Sequence, residues 1–241
     1  MDTMDKVTEL SKMIDHSLLH PTMTDEELKT GCALARAYNT ASVCIKPYAI
    51  REAKRWLDGN DVLICTVIGF PHGNSATAVK VFETEQACLD GAHEIDMVVN
   101  IGKVLSKDWD YTKKEIGAIN QVTKNQNAVL KVIFENDFLP DDYHKIKLCE
   151  ICSIVGVEFI KTSTGYGFVK NADGNYNYKG ATEHDLVLMR KHAALSVQIK
   201  AAGGVRTLDD LLRVKVLGVT RVGATTTASI LDEAKKRFGP N

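Results

Sequence analysis

The stretch VQIKAAGGVRTLDDLLRVKVLGVTRVGAT, residues 197–225, holds two apolar strand-like runs with an amphipathic span between them. VQIKAAGG (197–204) ends in paired glycines, and TLDDLLRVKVLG then opens with Thr207 three residues before Asp210, the spacing of an N-cap and its N3 partner. GVTRVGAT (218–225) returns to an apolar run and stops at hydroxyl residues. Strand, crossover helix and strand in that order demand a parallel sheet with the helix outside it.

The same unit recurs upstream. Strand-like runs lie at MIDHSLL (13–19), SVCIKP (42–47), DVLICTVIGFP (61–71), HEIDMVVNIG (93–102), NAVLKVIFEND (127–137) and GVEFIKTS (156–163). They are nearly continuous in Val, Ile and Leu, as expected of strands covered on both faces. Helical periodicity fills TDEELKTGCALARAY, where Thr24 precedes Glu27 at capping-box spacing, and it returns in SATAVKVFETEQACL, YTKKEIGAINQV, DYHKIKLCEICSIV, TEHDLVLMRKHAAL and TTTASILDEAKKRF. Eight units in 241 residues come to roughly 30 residues each, the economy of a (β/α)₈ barrel. An open doubly wound sheet would carry a GxGxxG turn after its first strand, and the sequence has none. The expected architecture is therefore α/β, one barrel domain over residues 1–241.

Composition bounds the function. A formal charge of -1 gives no general pull toward nucleic acid or anionic membrane, and the basic residues form no aromatic-basic stripe. The apolar runs are too short to span a bilayer, and the acidic, polar start does not resemble a secretory signal, so a cytoplasmic protein is expected. The six cysteines fall in predicted core elements, with Cys149 and Cys152 inside a helical run, and are expected to be reduced.

A barrel builds its active site at the C-terminal ends of its strands. There the sequence places Asp96 inside EIDMVV, Lys131 inside VLKVIF with Glu135 four residues on, Lys161 after EFI and Lys200 after VQI. A single lysine in such a place is ordinarily a snorkelling residue, and a single aspartate ordinarily ties down a loop. Lys161 and Lys200, however, end consecutive predicted strands. At about 5 Å and an effective dielectric of about 20, two ammonium groups repel by roughly 3 kcal/mol, enough to favour loss of one proton by about two pKa units. A neutral amine attacks carbonyls, which is the requirement for Schiff-base catalysis, and a carboxylate such as Asp96 can relay the protons. The TSTG that follows Lys161 favours it as the nucleophile, although composition alone leaves the choice between the two lysines open.

Two glycine loops follow the last two strands. Gly203 and Gly204, with Val205 and Arg206 after them, and Gly223, with Thr225 and Thr226, each lead into a helix start, a construction that binds phosphate through oriented N–H groups. Arg221 could face either side of its strand. His16, His20 and His72 are too scattered to claim as a metal set and are expected to cap or hydrogen-bond. Cys44 in SVCIKP could approach the pocket, open there to reactive aldehydes, or be a buried inert thiol.

Together EIDMVVNIG, LKVIFE, EFIKTSTGYG, IKAAGGVRT and RVGAT, with IDHSLL and GFPHG, strongly resemble the 2-deoxyribose-5-phosphate aldolase family over about residues 14–225. The resemblance implies reversible cleavage of 2-deoxy-D-ribose 5-phosphate to D-glyceraldehyde 3-phosphate and acetaldehyde, with neither metal nor organic cofactor. It implies Lys161 as the Schiff-base lysine, Lys200 as its neighbour in proton transfer and Asp96 as the acid/base partner. By the same resemblance Lys131 would line the pocket in a supporting part, and Gly203, Gly204, Arg206 and Gly223 would fall in the phosphate loops; Val205, Thr225 and Thr226 beside those loops, and Thr162 and Cys44 at the pocket, are further candidate binding residues from the residues themselves. It also implies a homodimer or higher homo-oligomer. Departures are a polar insertion at about 168–179 within GYGFVKNADGNYNYKGAT, threonines where the family often has serines, and an FGPN end without a tyrosine tail. The insertion could border the mouth, meet another subunit or loop into solvent. Alternatives are another Schiff-base aldolase with a different phosphorylated sugar, or a catalytically silent sugar-phosphate sensor, against which the intact Lys161, Lys200 and Asp96 speak.

Overall fold

The computed structural model describes residues 6–239; the first five residues of the acidic start and the last two residues of FGPN lie outside them. Eight parallel strands close a barrel: β1 (Ile14–Leu18), β2 (Ser42–Ile45), β3 (Leu63–Ile68), β4 (Glu94–Val98), β5 (Val129–Ile133), β6 (Phe159–Lys161), β9 (Gln198–Ala202) and β10 (Arg221–Ala224). Between β6 and β9 the chain adds a two-stranded antiparallel hairpin, β7 (Val169–Lys170) with β8 (Tyr176–Asn177). All eight sequence-derived runs thus contain barrel strands.

The expected helices form as α2 (Asp25–Tyr38), α4 (Thr77–Asp90), α6 (Trp109–Asn125), α7 (Asp142–Val155), α8 (Glu183–His192), α9 (Leu208–Val216) and α10 (Thr227–Phe238). Thr24 and Thr207 both close capping boxes, on α2 and α9. Three further helices, α1 (Lys6–Ser11), α3 (Ile50–Trp56) and α5 (Ile101–Leu105), are too short to print a clear period in sequence. No helix is long and apolar enough to cross a membrane among the described residues.

Strand alternation sorts the side chains into two shells. Val43, Ile45, Ile64, Ile95, Leu130, Val132, Ile160, Ile199 and Val222 pack in one buried cluster with Leu28, Ile116, Leu148, Leu186, Leu211 and Ile230 of the helices. Full burial of each such side chain stabilises by about 1.5–3 kcal/mol. The alternate positions, including Asp15, Glu94, Asp96, Lys131, Lys161, Lys200 and Arg221, meet one another inside the barrel. Charged groups thus occupy space that bulky aliphatic layers fill in many such barrels. Register fixes their levels: Asp96 is the Cα partner of Lys131, Lys161 of Lys200, and Lys200 of Arg221.

Candidate active site

Asp96 joins the two lysines at the top of this ladder. Its Oδ2 accepts a hydrogen bond from Lys161 Nζ at 2.7 Å and from Lys200 Nζ at 2.7 Å, so both amines share one oxygen. Its Oδ1 faces Lys131 Nζ at 3.2 Å. Below it, Lys131 Nζ lies 2.5 Å from Glu94 and 3.3 Å from Asp15, while Lys200 Nζ lies 2.5 Å from Asp15. Arg221 closes the base, 2.6 Å from Asp15 and 3.0 Å from Glu94.

Burial and partners act on these groups in opposite directions. For Asp96, burial would raise the carboxyl pKa, but Lys131, Lys161 and Lys200 together hold it well below the usual carboxylate range. Asp15 is likewise depressed against its burial by Lys131, Lys200 and Arg221. Burial pulls Lys200 down, yet Asp15 and Asp96 outweigh it and push the ammonium up; Lys131 is raised in the same way. Lys200 is therefore a fixed cation. The two amines that the sequence sets side by side, with a carboxylate near them, are bridged through that carboxylate.

A cavity of about 420 Å³ opens over this ladder. Lys161, Lys200 and Cys44 line it, as do Thr164, Gly165 and Tyr166 of the loop after β6. Gly203, Gly204, Val205 and Arg206 contribute from the loop after β9, and Gly223, Ala224 and Thr225 from the end of β10. Gly203 and Gly204 have φ of 82° and 92°, left-handed values that favour glycine, and a Cβ on Gly203 would meet Gly180 Cα at 3.0 Å. Phe168 and Tyr178, at the two ends of the polar insertion, also line the cavity and meet edge to face at 5.3 Å. The insertion thus borders the mouth. A larger cavity of about 610 Å³ lies beneath the hairpin beside α8, but no strand-end lysine reaches it, and its Lys145 is paired with Asp185 at 2.5 Å.

Other expected residues stand elsewhere. Lys131 is fully buried under the cavity and supports Asp96 from below without lining it. The Thr162 hydroxyl is bonded to the backbone of Ala202, tying β6 to β9. Thr226 does not repeat the Thr207 cap: its hydroxyl donates to the Arg206 carbonyl at 2.9 Å and joins the two glycine loops. Arg221 faces inward. His16 Nδ1 pairs with Thr227 Oγ1 at 2.9 Å, and burial lowers its pKa to about 4.

Asp15 and Glu94 escape the sequence reading as site residues, and Glu135 is placed at the rim there without a role. Glu94 stands two positions before Asp96, so the two-residue period alone puts both carboxylates on one strand face. Glu135 accepts from the Thr164 N–H at 3.1 Å and from its hydroxyl, bracing the loop that follows Lys161.

Residues 9–230 match the profile of the DeoC/LacD family aldolases. The chain belongs to that family. Among the relatives of this family member, a deoxyribose-phosphate aldolase of Rhodopirellula baltica is 51% identical over 231 residues, covering 96% of this chain and 91% of its own. The deoxyribose-phosphate aldolase of Caldanaerobacter subterraneus is 42% identical over 234 residues, covering 97% and 96%. Among solved structures, a deoxyribose-phosphate aldolase from Coccidioides immitis superposes on this aldolase with a TM-score of 0.87 at 31% identity, covering 95% of this chain and 87% of that one. The tetrameric deoxyribose phosphate aldolase of Aeropyrum pernix gives 0.84 at 26% identity, covering 96% and 93%.

Proposed function

We propose that this aldolase reversibly cleaves 2-deoxy-D-ribose 5-phosphate to D-glyceraldehyde 3-phosphate and acetaldehyde through a Schiff base on Lys161. The observation that carries this reading is one carboxylate oxygen of Asp96 shared by two lysines, both of which line a cavity walled by glycine loops. Four cations, Lys131, Lys161, Lys200 and Arg221, face three carboxylates, Asp15, Glu94 and Asp96. One proton leaving the ladder balances its formal charge. Lys161 reaches the cavity with a single carboxylate contact, whereas Lys200 is held by two.

In cleavage, the neutral amine of Lys161 adds to the C1 aldehyde of the sugar, and loss of water gives an iminium. A base takes the proton of the C3 hydroxyl, the C2–C3 bond breaks, and its electron pair enters the iminium to form an enamine as glyceraldehyde 3-phosphate leaves. Protonation of the enamine carbon and hydrolysis release acetaldehyde and restore the amine. Asp96 takes these protons up, and Lys200, charged at rest, gives one to the reacting atoms and regains it. The iminium is the electron sink, so no free carbanion forms.

For phosphate, the two loops are unequal. Asp210 already accepts from the N–H groups of Arg206 and Thr207 at the start of α9. At α10, Thr226 makes no side-chain cap, which leaves the first amides of that helix to a ligand beside Gly204 and Thr225. Val79, Phe82 and Leu89 form an exposed apolar line on α4, which supports a homo-oligomer built on a second copy; light scattering before and after Phe82→Glu tests that assembly. A cytoplasmic setting accords with six free thiols.

The decisive experiment incubates the protein with acetaldehyde, adds borohydride and maps the adduct by peptide mass. The expected result is a two-carbon addition on Lys161. Addition to another lysine, or none while deoxyribose 5-phosphate is being cleaved, would overturn the assignment.

A further inference from the structure

Two thiols lie in the barrel beside the lysine ladder and have no part in the chemistry above. Cys44 on β2 and Cys65 on β3 are Cα partners in register, and their sulfurs lie 3.7 Å apart, within reach of a hydrogen bond from Cys65 to Cys44. Neighbouring strands run about 4.8 Å apart, inside the Cα spacing of about 4.4–6.8 Å that a disulfide tolerates. Cys44 lines the active-site cavity, whereas Cys65 does not and is completely buried.

The surroundings treat the two sulfurs differently. The hydrogen bond from Cys65 favours the thiolate of Cys44, and Lys200 and Lys161 add to that against burial and Asp96. Cys65 is raised by burial and by its contacts with Cys44 and Asp96, and it stays a thiol. The arrangement has an outer nucleophilic sulfur and an inner protonated one, the pattern of an oxidisable cysteine with a resolving partner. Cys44, Cys65 and Asp96 also lie close enough to hold a soft metal ion between them. Lys131 stands 3.2 Å from Cys65 Sγ, and Lys161 and Lys200 occupy Asp96, so three cations already fill the space around these ligands and the local field opposes a metal.

We propose that Cys44 and Cys65 form a peroxide-responsive thiol pair that reversibly shuts the active site. The Cys44 thiolate attacks the O–O bond of a hydroperoxide; the sulfur takes one oxygen, giving a sulfenic acid, and the other oxygen leaves as hydroxide or alkoxide. Cys65, losing its proton, then attacks the Cys44 sulfur, and the sulfenic hydroxyl leaves as water. The peroxide is reduced and the two thiols are oxidised by two electrons in all. The S–S bond draws Cys65 away from Asp96 Oδ1, which it contacts at 3.2 Å, and moves Cys44 at the cavity wall. Asp96 is the group that bridges both lysines, so activity falls with it. A dithiol reductant reverses the change.

The test treats the protein with hydrogen peroxide, alkylates the remaining free thiols and maps peptides without reduction. The expected product is a Cys44–Cys65 crosslinked peptide that disappears with dithiothreitol, together with aldolase activity that falls and returns in step. In Cys65→Ala, Cys44 is expected to proceed to sulfinic acid, and dithiothreitol then restores nothing. Cys44 left as a free thiol while other cysteines oxidise would overturn the proposal. So would a Cys65→Ala protein whose loss is still reversible. Crosslink mapping reads the thiols alone, so it stands apart from the substrate assignment.

Discussion

Lys161 touches one carboxylate, Lys200 two and Lys131 three, and this gradient separates a nucleophilic amine from a charged proton-transfer partner and a buried support. Replacing Lys200 by Met removes a fixed cation from the oxygen that Lys161 also uses, while the glycine loops keep their backbone. Turnover is expected to fall by about 10²–10⁴-fold, the span of one acid–base partner, with little change in inhibition by inorganic phosphate. Weakened phosphate inhibition with turnover preserved would assign Lys200 to binding instead. Lys161→Arg keeps the positive charge but removes a nucleophilic amine, and both cleavage and the borohydride adduct are expected to vanish. Much of this was legible in sequence, because a charged residue inside an apolar strand is conspicuous. Lys161, Lys200 and Asp96 stood out for that reason. Asp15 and Arg221 did not, since in MIDHSLL and GVTRVGAT only closure of the barrel tells which face is inside.

The hairpin β7–β8 and the loop after β9 share one close contact. Gly180 has φ of 70°, and a Cβ there would lie 2.8 Å from the Gly203 backbone. The adjoining N–H groups of Lys179 and Gly180 donate to the Asp137 carboxylate at 2.6 and 3.0 Å, which anchors the hairpin base. Gly180→Ala is expected to cost about 1–3 kcal/mol through its left-handed backbone. It is also expected to push the hairpin off the Gly203 loop, raising KM for the phosphorylated sugar more than it lowers kcat. A thermal melt with paired kinetics checks both. An unchanged KM would mean that the hairpin leaves the phosphate loop undisturbed. The sequence marked this segment as an insertion and left its course open, because ADGNYNYKG carries turn residues and no long apolar period. The barrel helices, by contrast, announced themselves through caps such as Thr24 and Thr207, while α3 and α5 were too short to do so.

At the scale of the molecule, the strands are held from outside by a continuous aliphatic shell and from inside by a ladder of ions, and the second depends on pH. Asp15 and Asp96 have pKa values lowered by folding, so they contribute stability that is complete above the unfolded carboxylate value of about 3.9 and drains away as pH falls below it. Lys131 and Lys200 are raised by folding; their contribution is complete below about 10.4 and is lost only as pH climbs past that value. The ladder therefore supports the fold through the neutral range and fails first on the acid side. Asp15 meets Lys131, Lys200 and Arg221 with no solvent to replace it. Asp15→Asn leaves those cations short of one anion and is expected to cost about 3–5 kcal/mol at neutral pH. Denaturant melts between pH 3 and pH 8, values spanning the carboxylate range of about 4, should show wild-type stability dropping steeply at the acid end and the variant starting lower with a shallower slope. Parallel slopes in the two proteins would place the acid-sensitive anion elsewhere in the barrel.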